Sequence, residues 1–303
     1  MNLNPFDRQS LIQLAEHQYA PATVKINHQL ICSIPWPTNS ATPMTLNLSE
    51  PMASDSLSAI CFLLSMTSIN YRFWSLEQDG TISRYRHMDK TGARALWAAF
   101  EAAWGPTPHY GAKLAARISA DDFPRLFGHM PDQEGRLAIL GELLSHDKLH
   151  AGAQILLADI RSHGKVTVDQ AAGLAAIFPQ AFEDPYLKKA QLALSMIAAV
   201  LRDSGTEVNV AGLTAMADYQ VPRVLRALGV LEYCPSLADR INRHDLLEEG
   251  GPEELAIRAA TIIACEAIAA HTGGTSADID NLLWLSQDIA GDAPFHLTET
   301  RLY

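Results

Sequence analysis

Residues 253–270 read EELAIRAATIIACEAIAA, and this stretch decides the fold class. Its apolar side chains recur at helical spacing, and the turn Gly250-Gly251-Pro252 precedes it. Proline is well tolerated in the first turn of a helix, so a helix is predicted to begin at this point. Because few charged residues interrupt the apolar run, we expect this helix to be buried in the interior.

The same helical spacing of apolar residues predicts further helices in seven segments: 91–104, 133–144, 149–160, 168–177, 186–201, 219–228 and 277–289. Strand-like alternation is confined to the first third, in residues 23–31 and 80–85. Residues 35–51 contain four prolines and are predicted to form a long irregular loop. The predicted fold class is therefore mainly α, with a small β element in the first third.

The composition of the chain limits its function. The 303 residues carry 34 acidic and 23 basic side chains, a net charge of −11, and 48 % of them are hydrophobic. This is enough apolar material for a sizeable core, so we predict one domain over residues 1–303, a length that also allows two lobes around a cleft. Disorder is excluded for most of the chain, and the acidic balance argues against nucleic-acid or membrane partners.

The cysteines and the N-terminal residues give little information about function or location. The four cysteines are widely scattered and form no CxxC pair, so neither a zinc cluster nor a disulfide is predicted. Residues 1–20 lack a basic segment followed by an apolar run, and the apolar residues 60–69 are too few to span a bilayer. We expect a cytoplasmic protein and leave its oligomeric state open.

Asp218 is the first candidate for chemistry. It stands where the helix over residues 219–228 is predicted to begin, with Pro222 close behind and Gly229 after the last apolar residue. First-turn N–H groups favour the charged form of such a carboxylate, which can stabilise or attack a positive, sugar-like transition state. From spacing alone, a simple helix cap is the favoured interpretation.

Lys188 is the second candidate. With Gln191 and Ser195 it forms a polar stripe on a helix that is otherwise almost wholly apolar after its two lysines. A buried lysine is costly without an anion nearby, so one interpretation is a phosphate or carboxylate partner. The other, which the sequence alone favours, is a solvated start of the helix.

Three further sets of residues are open to two interpretations. Arg258 with Glu254 and Glu266 either orients a site or forms an internal ion pair. Asp280 and Trp284 lie on one side of a predicted helix, where a hydrogen-bond acceptor and a flat aromatic face could together bind a heteroaromatic base. The alternative is that Trp284 packs in the core and Asp280 is an ordinary acidic residue of the first helical turns. The aromatic cluster of residues 68–74 either lines a pocket or packs in the core. Similarly, His296 is either a proton shuttle, as its residue type allows, or a structural residue.

Motifs spread over most of the chain resemble those of the queuosine salvage proteins, which act as queuosine 5′-phosphate N-glycosylases. Each motif is modest, but five in the family's order are specific. They are NYRFW at residues 70–74, KKAQ at 188–191, MADYQVPR at 216–223, the Glu-x-x-Ile-Arg-like segment at 254–258, and HLTETRLY at 296–303.

The resemblance implies a fold like that of helix-hairpin-helix base glycosylases, with no metal and no cofactor. It implies hydrolysis of queuosine 5′-monophosphate to queuine and ribose 5-phosphate, with a small-molecule nucleotide as partner. Asp218 matches the catalytic aspartate, and Lys188 a ligand of the 5′-phosphate. The base is expected to contact Trp74, Met216, Tyr219, Asp280 and Asn281, with Arg258, Glu266 and His296 in support.

Several positions depart from the family pattern. Asn281 and Leu285 replace an aromatic residue and a second carboxylate, Met216 replaces a phenylalanine, and Gln220 replaces an arginine. A histidine-containing segment of the family is not found around residues 46–51.

Because of these departures, two alternative functions remain open: a glycosidase for another 7-deazaguanine nucleotide or nucleoside, or a non-catalytic nucleotide-binding homologue. A DNA base glycosylase is disfavoured by the net charge of −11.

Overall fold

The structure is a computed structural model that describes residues 7–37, 48, 55–105, 110–145 and 148–303. Most of the loop predicted over residues 35–51, including the segment in which the family's histidine was sought, lies outside these ranges.

Helices dominate the described residues, and all eight predicted helices are present. The fifteen helices of these residues are α1 (Arg8–Gln18), α2 (His28–Ser33), α3 (Ser56–Ser68), α4 (Ala93–Trp104), α5 (Ala112–Ala115), α6 (Phe123–Phe127), α7 (Gln133–Leu143), α8 (Lys148–His163), α9 (Val168–Ile177), α10 (Pro179–Phe182), α11 (Lys188–Asp203), α12 (Gln220–Ala227), α13 (Pro235–Asn242), α14 (Pro252–Thr272) and α15 (Ser276–Leu285). A 3₁₀ turn, Gln287–Ala290, follows α15. The mainly α class is confirmed, while the likeness to helix-hairpin-helix glycosylases stays a prediction.

Side-chain caps set several of these helix boundaries. The Asp132 carboxylate accepts a hydrogen bond from the Gly135 N–H and begins α7. Thr167 and Gln170 bond reciprocally to each other's backbone N–H at the start of α9. These contacts satisfy first-turn donors that have no partner within the helix, which is why the boundaries can be read from the sequence.

Short strands form five two-stranded sheets among the described residues. The antiparallel pairs are β1 (Val24–Ile26) with β8 (Leu231–Tyr233), β2 (Trp74–Leu76) with β3 (Ile82–Arg84), and β4 (Arg86–His87) with β5 (Lys90–Thr91). The parallel pairs are β6 (Lys165–Thr167) with β7 (Asn209–Gly212), and β9 (Leu246–Leu247) with β10 (Leu297–Thr298).

Two expectations about strands are wrong. Strands are not confined to the first third, since β6 to β10 lie after it. Residues 23–31 do not form one strand either, because the Asn27 side chain accepts a hydrogen bond from the Leu30 N–H and starts α2 directly after β1. The alternation of polar and apolar residues that begins in β1 continues by chance into the short helix α2.

The core is built around two long helices. Helix α11 packs on α3, whose residues 58–68 are all buried, and α14 packs on α1 and α15. By length and composition alone α14 is also long and apolar enough to cross a membrane, but it is mostly buried inside the protein, as a core helix is. The single domain over residues 1–303 stays a prediction.

Candidate active site

A cavity of about 810 Å³ opens beside α11 and is bounded by the β2–β3 and β4–β5 hairpins, the start of α12 and helix α15. Its volume is in the range of small-molecule sites. The seven residues expected to act in catalysis, base binding and phosphate binding all line it: Trp74, Lys188, Met216, Asp218, Tyr219, Asp280 and Asn281. The three expected supporting residues do not line it.

Asp218 is both a helix cap and a cavity residue. Its Oδ1 accepts hydrogen bonds from the backbone N–H groups of Gln220, at 2.7 Å, and Val221, at 3.2 Å. Its Oδ2 lies 3.9 Å from the Lys188 ammonium nitrogen. The start of α12 therefore holds one oxygen of Asp218, while the other oxygen faces Lys188. Capping the helix and taking part in a site are compatible roles for this side chain.

Lys188 and Lys189 are both buried, so a solvated helix start is wrong. Burial lowers the pKa of each lysine, and for Lys188 the nearby Asp218 and Asp280 oppose that effect. The Lys189 ammonium donates to the Ser68 carbonyl at 2.9 Å and does not line the cavity, whereas Lys188 does. Only the first lysine is placed to meet a ligand.

Asp280 is a second buried carboxyl group that lines the cavity and is influenced by the charges of Asp218 and Lys188. Its Oδ1 accepts a hydrogen bond from the Met216 N–H at 2.9 Å. Burial, reinforced by the charge of Asp218, raises the pKa of Asp280 to about 7. Near neutral pH this carboxyl group is therefore partly protonated. Trp284, one turn further along α15, also lines the cavity, so both side chains are available to a ligand there.

An aromatic wall closes one side of the cavity. The rings of Tyr219 and Phe295 lie 4.8 Å apart, and those of Trp74 and Phe295 lie 6.3 Å apart. Together with Tyr303, these side chains are buried and also line the cavity. Such a wall provides flat, apolar surface against which a heteroaromatic ring can pack.

Arg258 joins the segments that carry the site. Its guanidinium donates to Asp184 Oδ2 at 2.8 Å, to Glu254 Oε1 at 3.3 Å and to the Ala217 carbonyl at 3.0 Å. Asp184 Oδ2 also accepts the Lys188 backbone N–H, at 2.7 Å. The i,i+4 pair of Glu254 and Arg258 is therefore present, and through Asp184 and Ala217 the guanidinium also connects the start of α11 with the residue before Asp218.

Comparison with known proteins identifies related sequences. The model of a family described as queuosine salvage protein matches residues 183–303, which contain every candidate site residue except Trp74. A protein of Sphaerobacter thermophilus named queuosine 5′-phosphate N-glycosylase/hydrolase is 30 % identical, and the alignment covers 99 % of each chain.

The chain belongs to the queuosine salvage protein family. Proteins of the same name from Mus musculus and Dictyostelium discoideum are 25 % and 23 % identical. Their alignments cover 72 % and 80 % of this chain and 69 % and 77 % of the relatives. The resemblance seen in short motifs thus holds over almost the whole length of the chain.

Two expected supporting residues of this queuosine salvage protein lie away from the cavity. Glu266 does not pair with Arg258, because it pairs with Arg8 of α1 at 2.5 Å. His296 is buried, and burial lowers its pKa to about 3, so the imidazole is neutral. Its Nε2 lies 3.4 Å from the Tyr303 hydroxyl, behind the aromatic wall, which fits a structural role better than proton transfer.

Arg136 is a buried residue that sequence reasoning missed. Its guanidinium donates to the carbonyls of Ile69 and Tyr71 and, at 2.7 Å, of Pro131. It thereby holds the loop that brings Asn70 and Tyr71 to the cavity. One signal in the sequence could have indicated that Arg136 is buried. It lies on α7 one turn before the buried Leu140 and therefore on the same face of the helix.

The described residues show no metal centre. Among the residues that the structure describes, no group of three or more histidine, cysteine or acidic side chains is placed to hold a metal ion. The two fully buried cysteines are free thiols, as are the other two.

The protonation of Asp280 predicts a pH dependence of stability. The folded protein keeps this proton up to about pH 7, whereas the unfolded chain loses it near the ordinary pKa of 3.8. Folding takes up a proton between these values, so the contribution of Asp280 to stability falls as the pH rises through that window. We expect wild type to lose about 3 kcal/mol relative to Asp280→Asn between about pH 5 and about pH 8, measured by urea unfolding. Parallel stability curves for the two proteins would contradict the raised pKa.

Proposed function

We propose that this protein hydrolyses the N-glycosidic bond of queuosine 5′-monophosphate, releasing queuine and ribose 5-phosphate. Three relatives carry the name of this activity. The observation that carries the proposal is the cavity in which Asp218, Lys188 and Asp280 meet beside an aromatic wall. The proposed substrate is a free nucleotide, and the proposed location is the cytoplasm.

In this proposal, Asp218 acts on the ribose. Breaking the bond to the base leaves positive charge on the sugar, and a nearby carboxylate stabilises that charge. Because Oδ1 is held by two backbone N–H groups, the carboxylate has a fixed orientation and needs no rearrangement as charge develops. The hydroxyl of a water adds to the anomeric carbon, and the proton ends on the departing base.

Asp280 and the aromatic wall are proposed to hold the base. Below its pKa of about 7, Asp280 carries a proton that it can donate to an acceptor atom of the base. Its other contact, from the Met216 N–H, fixes the carboxyl group without using this proton. Trp74, Tyr219 and Asn281 then contact the ring from the surrounding cavity surface.

Lys188 is proposed to contact the 5′-phosphate and to offset the charge of Asp218. We expect Lys188→Ala to lower kcat/KM for queuosine 5′-monophosphate about tenfold more than for the unphosphorylated nucleoside, because charge-assisted hydrogen bonds to phosphate are lost. Steady-state kinetics on both substrates measure this ratio. Equal losses on the two substrates would remove Lys188 from the phosphate site.

Mass spectrometry of the products tests the proposed reaction. Incubation with queuosine 5′-monophosphate should yield queuine and ribose 5-phosphate in equal amounts. Binding of the nucleotide without either product would indicate a non-catalytic homologue instead.

A second candidate is cleavage of another 7-deazaguanine nucleotide. It is favoured by Leu285, which lines the cavity and leaves half of its surface exposed where the family pattern has a carboxylate. A competition assay with a second 7-deazaguanine nucleotide decides between the candidates by their kcat/KM values.

A further inference from the structure

Phe295 joins the rings of the aromatic wall, although it lies in an irregular segment. Its ring centre is 4.8 Å from that of Tyr219 and 6.3 Å from that of Trp74. The guanidinium carbon of Arg84 lies 5.4 Å from the same ring centre. Residues 291–296, which carry Phe295, connect the 3₁₀ turn after α15 to β10 and belong to neither. The position of this ring therefore depends on contacts other than the hydrogen bonds of a helix or a strand.

Arg223 of α12 binds this irregular segment. Its Nε donates to the Ala293 carbonyl at 2.6 Å, and its Nη2 donates to the Gly291 carbonyl. Its Nη1 donates to Gln220 Oε1 at 3.3 Å, and Gln220 lines the cavity. One side chain thus links residues 291–293 to the helix that Asp218 caps.

The burial of Arg223 indicates that these hydrogen bonds matter. The residue is only 5 % exposed, and it forms no ion pair with another residue that the structure describes. A buried guanidinium is costly unless its donors are satisfied, and here backbone carbonyls take the place of a carboxylate. Because the fork of donors is planar and rigid, it holds the segment and α12 in one relative position.

We propose that Arg223 is a positioning residue of the active site, which holds Phe295 in the aromatic wall and so sets the surface against which the base packs. This inference rests on the proposed function. Arg223 does not itself line the cavity, so it acts on a ligand through Phe295 and not by direct contact. The Asp218 carboxylate is held by its own bonds to backbone N–H groups, so a shift of the wall leaves it in place.

Hydrogen exchange of the ligand-free protein tests whether Arg223 holds the segment. We expect Arg223→Met to speed amide exchange in residues 291–296 about fivefold or more, because two bonds that restrain the segment are lost. The matched control is Arg226→Met on the same helix. Arg226 is half-buried and donates to Asn242 Oδ1 at 3.2 Å, but it does not line the cavity. The control should leave this exchange unchanged, and equal exchange in the two variants overturns the inference.

Binding of queuine, measured by calorimetry, tests whether Arg223 acts through Phe295. We expect Arg223→Met to weaken binding about fivefold in the wild-type background but less than about twofold in the Phe295→Leu background, because changes in two coupled residues are not additive. Equal losses in both backgrounds overturn the inference. In hydrolysis, the loss should appear in KM, with kcat within about twofold of wild type, since the Asp218 carboxylate keeps its place.

The two measurements separate this inference from the proposed reaction. If wild type binds queuine but releases none from queuosine 5′-monophosphate, the proposed function fails, and the binding cycle still decides the role of Arg223. If wild type does not bind queuine either, exchange in residues 291–296 decides it alone. Should Arg223→Met not fold, Arg223→Lys replaces it in both measurements, with smaller effects expected in the same direction.

Discussion

Replacing Asp218 by asparagine is expected to lower kcat for queuosine 5′-monophosphate by about 10³-fold or more, while the protein stays folded. The asparagine oxygen can still accept the hydrogen bonds from the Gln220 and Val221 N–H groups, so the start of α12 is kept. What is lost is the negative charge that opposes the positive charge on the ribose. Released queuine is measured by mass spectrometry, and folding by thermal denaturation.

A matched control for this variant is Asp7→Asn. Asp7 also caps a helix, accepting a hydrogen bond from the Ser10 N–H at 2.6 Å, but it does not line the cavity. The same chemical change there should leave turnover intact. If Asp218→Asn keeps more than about a tenth of wild-type turnover, the carboxylate is not the catalytic group and only caps α12.

Arg258→Met is expected to cost about 3–5 kcal/mol of unfolding free energy, because it leaves Asp184 and Glu254 buried without their cation. All three side chains are almost fully inaccessible to water. Burial alone lowers the pKa of an arginine, but in Arg258 the two carboxylates outweigh it and raise the pKa. Urea unfolding of the variant and wild type measures the difference.

The surface pair of Arg243 and Asp245 provides the control. Its two charged atoms lie 2.7 Å apart, but both side chains are exposed, and such pairs contribute less than about 1 kcal/mol. Arg243→Met should therefore have a small effect. If Arg258→Met is no more destabilising than Arg243→Met, the buried network does not hold the segments around the site together.

Most of the long helices could be predicted from the sequence, since apolar periodicity is clear over several turns. The exceptions are α1 and α3, and α3 is so uniformly apolar that its sequence has no clear period. Short helices such as α2 and the pairing of strands could not be predicted. Val24 pairs with Tyr233, and nothing in the sequence around either residue identifies the other. Local periodicity also does not show which neighbouring helix a given side chain meets. For this reason the sequence suggests a pair of Glu266 with Arg258, whereas in the structure Glu266 pairs with Arg8.

For the site, the sequence motifs identified the residues that lie deep in the cavity, including Asp218, Lys188 and Asp280. The burial of Lys188 was not predictable, because it depends on packing between α11 and α3. Arg84, an exposed residue that lines the cavity, was missed for a related reason. An exposed arginine in a hairpin has no distinguishing pattern until the hairpin is placed against the rest of the fold.

The cavity is assembled from segments that are distant along the chain. Lys189 at the start of α11 is fixed to Ser68, 121 residues earlier, and Met216 to Asp280, 64 residues later. Bringing such segments together requires the closure of long loops, whose entropic cost slows folding. Individual helices can form early, but the binding surface exists only once these loops are closed. Catalytic competence therefore depends on contacts between distant segments and on no single helix.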